Sequence, residues 1–190
     1  MHRLYFLLFL LGIALPLHAQ HSLPWRFFAE GTDKALFKVS ATLQEYRLSG
    51  MLIVKKLPSG EIRAVMTMET GIKVYDVSVD TRRIRINESM RMYKNPFLKN
   101  ILYRDLRLLI SLPELGREIQ KDDHTLLREG KWQYRYEKQS EQTYSKTRMK
   151  GKKACERAAA ETDAAGVLQK SVHDFGGFPY RAEYHRLSGN

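Results

Sequence analysis

The sequence predicts an α+β fold, an antiparallel sheet with a helix laid across it. Three observations predict it. Apolar residues fall at alternate positions in run after run between Phe37 and Asn87, the period turns helical after Asn95-Pro96, and alternation returns from Trp132 onward. Cys155 is the one cysteine among 190 residues, so no internal disulfide staples the chain and packing must hold it. A chain of this length can bury its own core as one domain.

Phe37, Val39, Ala41 and Leu43 alternate with Lys38, Ser40, Thr42 and Gln44, the pattern of a half-buried strand. Gly50-Met51-Leu52-Ile53-Val54 is apolar throughout, which predicts a central strand covered on both faces. Pro58-Ser59-Gly60 turns the chain, and Ile62, Ala64, Met66 and Met68 then share a face. After a turn at Thr70-Gly71, Tyr75, Val77 and Val79 alternate; in the next run Ile84 and Ile86 face away from Arg83 and Arg85. These runs make a meander. Asn95 then suits an N-cap and Pro96 the first helical position, while Leu98, Ile101, Leu102, Leu106 and Leu109 recur at helical spacing. The helix is expected over Phe97 to Ile110, ended by Leu112-Pro113, with its apolar stripe buried on the sheet.

In the C-terminal third, Trp132, Tyr134 and Tyr136 point one way and Lys131, Gln133 and Arg135 the other. Tyr144, Lys146, Arg148 and Lys150 continue as a basic stripe read as an outer face. Residues 114–130 read as a helix tail or long loop, and residues 158–166 as a loop or poor helix. Residues 172–187 read as a pair of strands broken at Gly176-Gly177.

Arg3, the uncharged apolar run from Leu4 to Leu17 and then His18-Ala19-Gln20 have the layout of a cleaved secretory signal. The run is shorter than the ~20 residues of a spanning helix. Residues 1–19 are therefore expected to be removed, leaving 20–190 as a single soluble domain in the periplasm or cell envelope. No cysteine lies near the expected cleavage point to carry a lipid.

The net charge of +11 points an exported protein toward anionic partners. Lys146, Arg148, Lys150, Lys152 and Lys153 are the candidates for contact with an anionic membrane surface. Stacking aromatics are not interleaved among them, which argues against nucleic acid. Enzyme signatures are missing: there is no Gly-x-Ser-x-Gly elbow, phosphate-cradling glycine loop or His-Glu-x-x-His helix. His124 beside Asp122 and Asp123, and His173 beside Asp174, read as solvated turns rather than metal or acid–base sites. Cys155 has cationic neighbours but no nameable base. No catalytic residue, metal or cofactor is expected.

Methionine, unbranched and polarisable, suits adaptable apolar cavities. Met51, the pair Met66 and Met68, and the pair Met90 and Met92 are spaced to share strand faces. Together with Ile53, Leu102 and Leu106 they are the candidate cavity lining.

The stretches Ser49-Gly50-Met51-Leu52-Ile53-Val54-Lys55-Lys56, Ile62-Arg63-Ala64-Val65-Met66, Glu69-Thr70-Gly71-Ile72-Lys73-Val74-Tyr75-Asp76 and Asp105-Leu106-Arg107-Leu108-Leu109-Ile110 resemble bacterial envelope proteins of the lipoprotein carrier type, LolA and LolB. The resemblance runs over residues 49–110. It implies a curved antiparallel half-barrel with helices packed on its concave face and an apolar cavity that shelters acyl chains. The acylated N-terminal cysteine of LolB has no counterpart here, and His21 to Phe37 leaves little room for the family's long first helix.

Two functions fit these patterns. One is an exported, non-enzymatic protein that binds lipid or an acylated envelope protein in an apolar cavity, as a lipid or lipoprotein carrier would. The other is a structural or interaction protein with a filled core, docking on an anionic envelope partner through its basic face. Cavity volume separates them.

Overall fold

A computed structural model describes residues 23–79, 84–111, 117–129 and 132–188. The expected leader and the Leu112-Pro113 stop lie outside these residues. Among the described residues no helix is long and apolar enough to cross a membrane.

The N-terminal strands are β1 (Lys34–Leu43), β2 (Tyr46–Lys56), β3 (Ile62–Met68), β4 (Lys73–Val79) and β5 (Ile84–Ser89). A short 3-10 turn over Arg91–Lys94 leads into helix α1 (Pro96–Leu109). The strands β6 (Arg117–Gln120), β7 (Thr125–Glu129), β8 (Trp132–Lys138), β9 (Thr143–Lys150), β10 (Lys153–Thr162), β11 (Leu168–Asp174) and β12 (Tyr180–Arg186) follow. They form one antiparallel sheet in the order β5-β4-β3-β2-β1-β12-β11-β10-β9-β8-β7-β6, open at β5 and β6. Two meanders thus meet at a central seam, where β1 pairs with β12 from Phe37↔Arg186 to Leu43↔Tyr180.

Register puts Phe37, Leu52, Ala64, Met66, Val77, Tyr184, Ala182 and Ala158 on one inner face, and all are buried. Helix α1 covers part of that face and starts as its sequence dictates. Asn95 Oδ1 accepts from the Phe97 N–H at 2.8 Å, and Pro96 fills the first position, where its missing N–H costs nothing. Gly50 is required where β2 meets β3, since a Cβ there would lie 2.0 Å from the Thr67 carbonyl oxygen.

Four expectations are corrected. β2 is covered on one face only: Leu52 and Val54 are wholly buried, whereas Met51 opposes Lys38 and Thr67 on the outer face and is 44% exposed. Residues 153–162 form a strand, with Ala158 and Ala160 inward and Arg157, Ala159 and Glu161 outward. Its small residues obscured a clean period of two. Within the stretch expected as helix tail or loop, the described residues 117–129 form the β6–β7 hairpin, with Leu127 buried. A single α-helix lies on the described sheet, where the resemblance implied several.

Ahead of β1, residues 23–28 cross the inner face as a strap. Arg26 bridges Val167, and its N–H donates to the Gly166 carbonyl at 2.8 Å. Trp25 packs edge-on to Tyr136 with centroids 5.1 Å apart, and Phe27 lies 5.6 Å from Phe37.

Leu106 is fully buried between helix and sheet. Leu106→Asp is expected to cost about 3–5 kcal/mol or more, against a total stability of about 5–15 kcal/mol, and to abolish the cooperative thermal transition. Lys99→Glu, on the exposed face of α1, is expected to leave the melting temperature unchanged.

Candidate functional site

Helix α1 lies against β9, β10 and β11, and three buried polar clusters hold it there. In the first, the buried Glu156 carboxylate accepts from Arg148 of β9, including Nη2 at 2.8 Å, and from Arg104 of the helix. The Arg148 guanidinium also sits 3.8 Å above the Trp132 ring.

In the second, Lys146 crosses to the helix C-terminus. Its Nζ donates to the Arg107 carbonyl at 2.6 Å and to Ser111 Oγ at 3.0 Å, and lies 4.9 Å from the Tyr134 ring centroid. The last carbonyls of a helix lack intrahelical donors and carry the negative end of its dipole, so a cation suits this place. Burial outweighs that gain and the attraction of Glu129, and with the nearby charge of Arg107 pushes the Lys146 ammonium down to about 7. Burial likewise raises Glu129.

In the third, Asp105 faces the C-terminal strands from within the apolar stripe. Its Oδ1 lies 2.6 Å from His173 Nδ1, and its Oδ2 accepts from Tyr180 Oη at 2.7 Å and from Tyr184 Oη. His173 Nε2 stands 2.9 Å from Ser171 Oγ. The chain of contacts Ser171–His173–Asp105 has the order of a nucleophile triad. Ser171, however, is buried within β11, paired to Ala160 on one side and Tyr184 on the other, with its backbone groups committed to the ladder. The chain is a strut rather than a reacting centre.

Because all three ties lie on the β8–β12 side, the N-terminal half of α1 stands off the other wing. A cavity of about 400 Å³ opens between them. Val39, Leu48, Met66, Tyr75, Leu98 and Leu102 give it an apolar wall. Asp105, Tyr180 and Tyr184 form its polar side, and the exposed Tyr46, Arg47 and Met92 stand at its mouth.

Of the expected lining, Met66, Met92 and Leu102 lie on the cavity wall. Met68 and Met90 are half-buried against the core, and Leu106 is within it. Met51 and Ile53 are not lining residues, because they point to the outer face of β2. Met90 and Met92 share no strand face, since β5 ends at Ser89 and Met92 belongs to the 3-10 turn.

Of the expected basic surface, Lys146 and Arg148 are buried on the inner face, drawn in by the helix terminus and by Glu156. Lys150, Lys152 and Lys153 are exposed. His173, read as a solvated turn, is buried in the strut. The tyrosines of the polar side were missed, although Tyr180 and Tyr184, four apart in a strand, had to share a face. Asp105 was also missed. An acid three places from Leu102 and four from Ile101 interrupts an apolar stripe, and that interruption was the available signal.

No protein-family model matches this sequence, and no curated protein does. Among solved structures, a domain from Vibrio parahaemolyticus named for outer membrane lipoprotein sorting is 8% identical, with 84% of this chain and 85% of that chain covered and a TM-score of 0.34. A DUF1329 family protein from Desulfovibrio piger is 9% identical over the same shares, with a TM-score of 0.33. Likenesses of that depth define neither family nor ligand.

Lys146 loses its proton near 7 in the fold and near its ordinary 10.5 when unfolded, so between these values the unfolded chain binds more protons and stability rises with pH. Lys146→Met lacks this contribution. The stability of the natural protein relative to Lys146→Met, from urea titrations, is expected to climb between about pH 7 and pH 10.

Proposed function

We propose that this chain is an exported binding protein of the cell envelope that shelters an acyl chain, carried by a lipid or an acylated protein, and performs no chemistry on it. The observation that supports this reading is the cavity between α1 and β1–β4. Its volume, about 400 Å³, falls in the range of about 300–1,000 Å³ usual for ligand pockets, its wall is predominantly apolar, and it opens to solvent beside Tyr46 and Met92. Met66 on the wall and Met92 at the mouth are flexible side chains suited to a flexible ligand. The envelope location rests on the leader expected over residues 1–19.

The test pairs thermal melting with binding of the fluorescent probe N-phenyl-1-naphthylamine. The natural protein is expected to bind the probe. Met66→Trp is expected to fill the cavity, lowering probe affinity at least tenfold while moving stability by less than about 1 kcal/mol. Absence of binding by the natural protein, with a loss of about 1–3 kcal/mol in the variant through overpacking, would retire the carrier reading.

A second reading, docking on an anionic surface, is favoured by one observation. Lys150 and Lys153 pair at the end of the β9–β10 hairpin, with Lys152 between them, and all three are exposed. Charges so placed contribute about 1 kcal/mol each near anionic lipid. Co-sedimentation with phosphatidylglycerol vesicles is expected to fall steeply with salt and to be lost when the three lysines are changed to glutamate. Salt-insensitive binding would mean an apolar contact instead.

A further inference from the structure

The cavity has a sign. The charged side chains on its wall among the described residues are Asp105 and Arg47, and they differ in surroundings. Arg47 is exposed at the mouth, where solvent and salt screen it. Asp105 is 3% exposed, so its field acts through protein rather than water.

Three side chains already face the Asp105 carboxylate. Tyr180 and Tyr184 hydroxyls donate to Oδ2, and His173 Nδ1 stands at Oδ1. Each tyrosine hydroxyl has one proton and gives it to the carboxylate rather than to a guest, and burial, with after it the charge of Asp105, raises both well above the ordinary tyrosine range. The same two causes push Tyr93, also on the wall, up to about 12. A carboxylate accepts about four hydrogen bonds. Three approaches are taken, and the capacity that remains is for accepting.

We propose, building on the cavity reading above, that the polar side of the cavity receives the head of an amphiphile bearing a hydrogen-bond donor and no negative charge, an amino or hydroxyl group, and turns away an anionic head. Asp105 is the residue that determines this choice. An ammonium or hydroxyl placed there completes the coordination of Asp105. A carboxylate placed there brings a second anion beside the buried charge of Asp105. The preference runs against the net charge of +11, which favours anions overall, so an unspecific electrostatic effect would have the opposite sign.

The experiment is displacement of N-phenyl-1-naphthylamine from the natural protein at pH 7.4 by dodecylammonium, 1-dodecanol and dodecanoate, equal in chain length and all below micellar concentration. Dodecylammonium and dodecanol are expected to displace the probe at concentrations at least tenfold lower than dodecanoate. Asp105→Asn is expected to collapse that ratio toward unity. The measurement on the natural protein stands even where Asp105→Asn fails to fold. Dodecanoate displacing as well as or better than dodecylammonium would overturn the proposal and place the head at the mouth beside Arg47. A probe that binds but yields to none of the three would overturn it while leaving the cavity reading intact. A natural protein that binds no probe removes both.

Discussion

Helix α1 stays where it is because Asp105, set within an otherwise apolar stripe, must have hydrogen-bond donors, and the sheet supplies them from His173 of β11 and Tyr180 and Tyr184 of β12. A buried carboxylate left without partners costs about 3–5 kcal/mol, as much as a whole domain can spare. The apolar stripe tells the helix to lie on the sheet, but an apolar contact is tolerant of sliding and rotation. Asp105 removes that tolerance. The Glu156 cluster and Lys146 then fix the rotation and the C-terminal end.

Those ties are all on one side, and the cavity follows from that asymmetry. Interiors normally close to the density of organic crystals. Here polar anchors set the distance between helix and sheet on the β8–β12 wing, and the side chains of β1–β4 leave a space unfilled opposite Leu98 and Leu102. On the anchored wing Lys146 and Arg148 reach the helix end and Glu156 over Tyr134, Tyr136 and Trp132, whereas Val39, Ala41 and Leu48 face the cavity.

The first meander, the capped start of α1 at Asn95-Pro96 and the burial of Leu102 and Leu106 were legible in the sequence because each rests on a local period or a local turn. Which face of a strand is inside was less legible. Alternation divides β9 into two faces, and the rule that charge faces water put Lys146 and Arg148 outside. The rule fails because their partners, the end of α1 and Glu156, arrive from residues 35 or more and 8 places away, and only the folded chain assembles them. Met51 was misplaced for the converse reason. A run apolar at every position carries no period, so which of its residues are solvated depends on whether a second layer covers the sheet. The cavity itself is a property of spacing between elements, which no local pattern encodes.

The seam between β1 and β12 joins Phe37 to Arg186, nearly the two ends of the described chain, and it lies at the middle of the sheet rather than at an edge. Each meander can zip from hairpin to hairpin through short loops, but the seam must close a loop spanning almost the entire chain, and closure entropy grows with loop length. Non-local pairing of this kind slows folding. Until it forms, β1 and β12 are both exposed edges with unpaired backbone groups, open to pairing with another chain. The strap over residues 23–28, which fastens Arg26 to Val167, spans the same divide and clasps the two meanders together across it. The seam is thus the strand pairing with the longest loop to close, and across it the two meanders become one sheet.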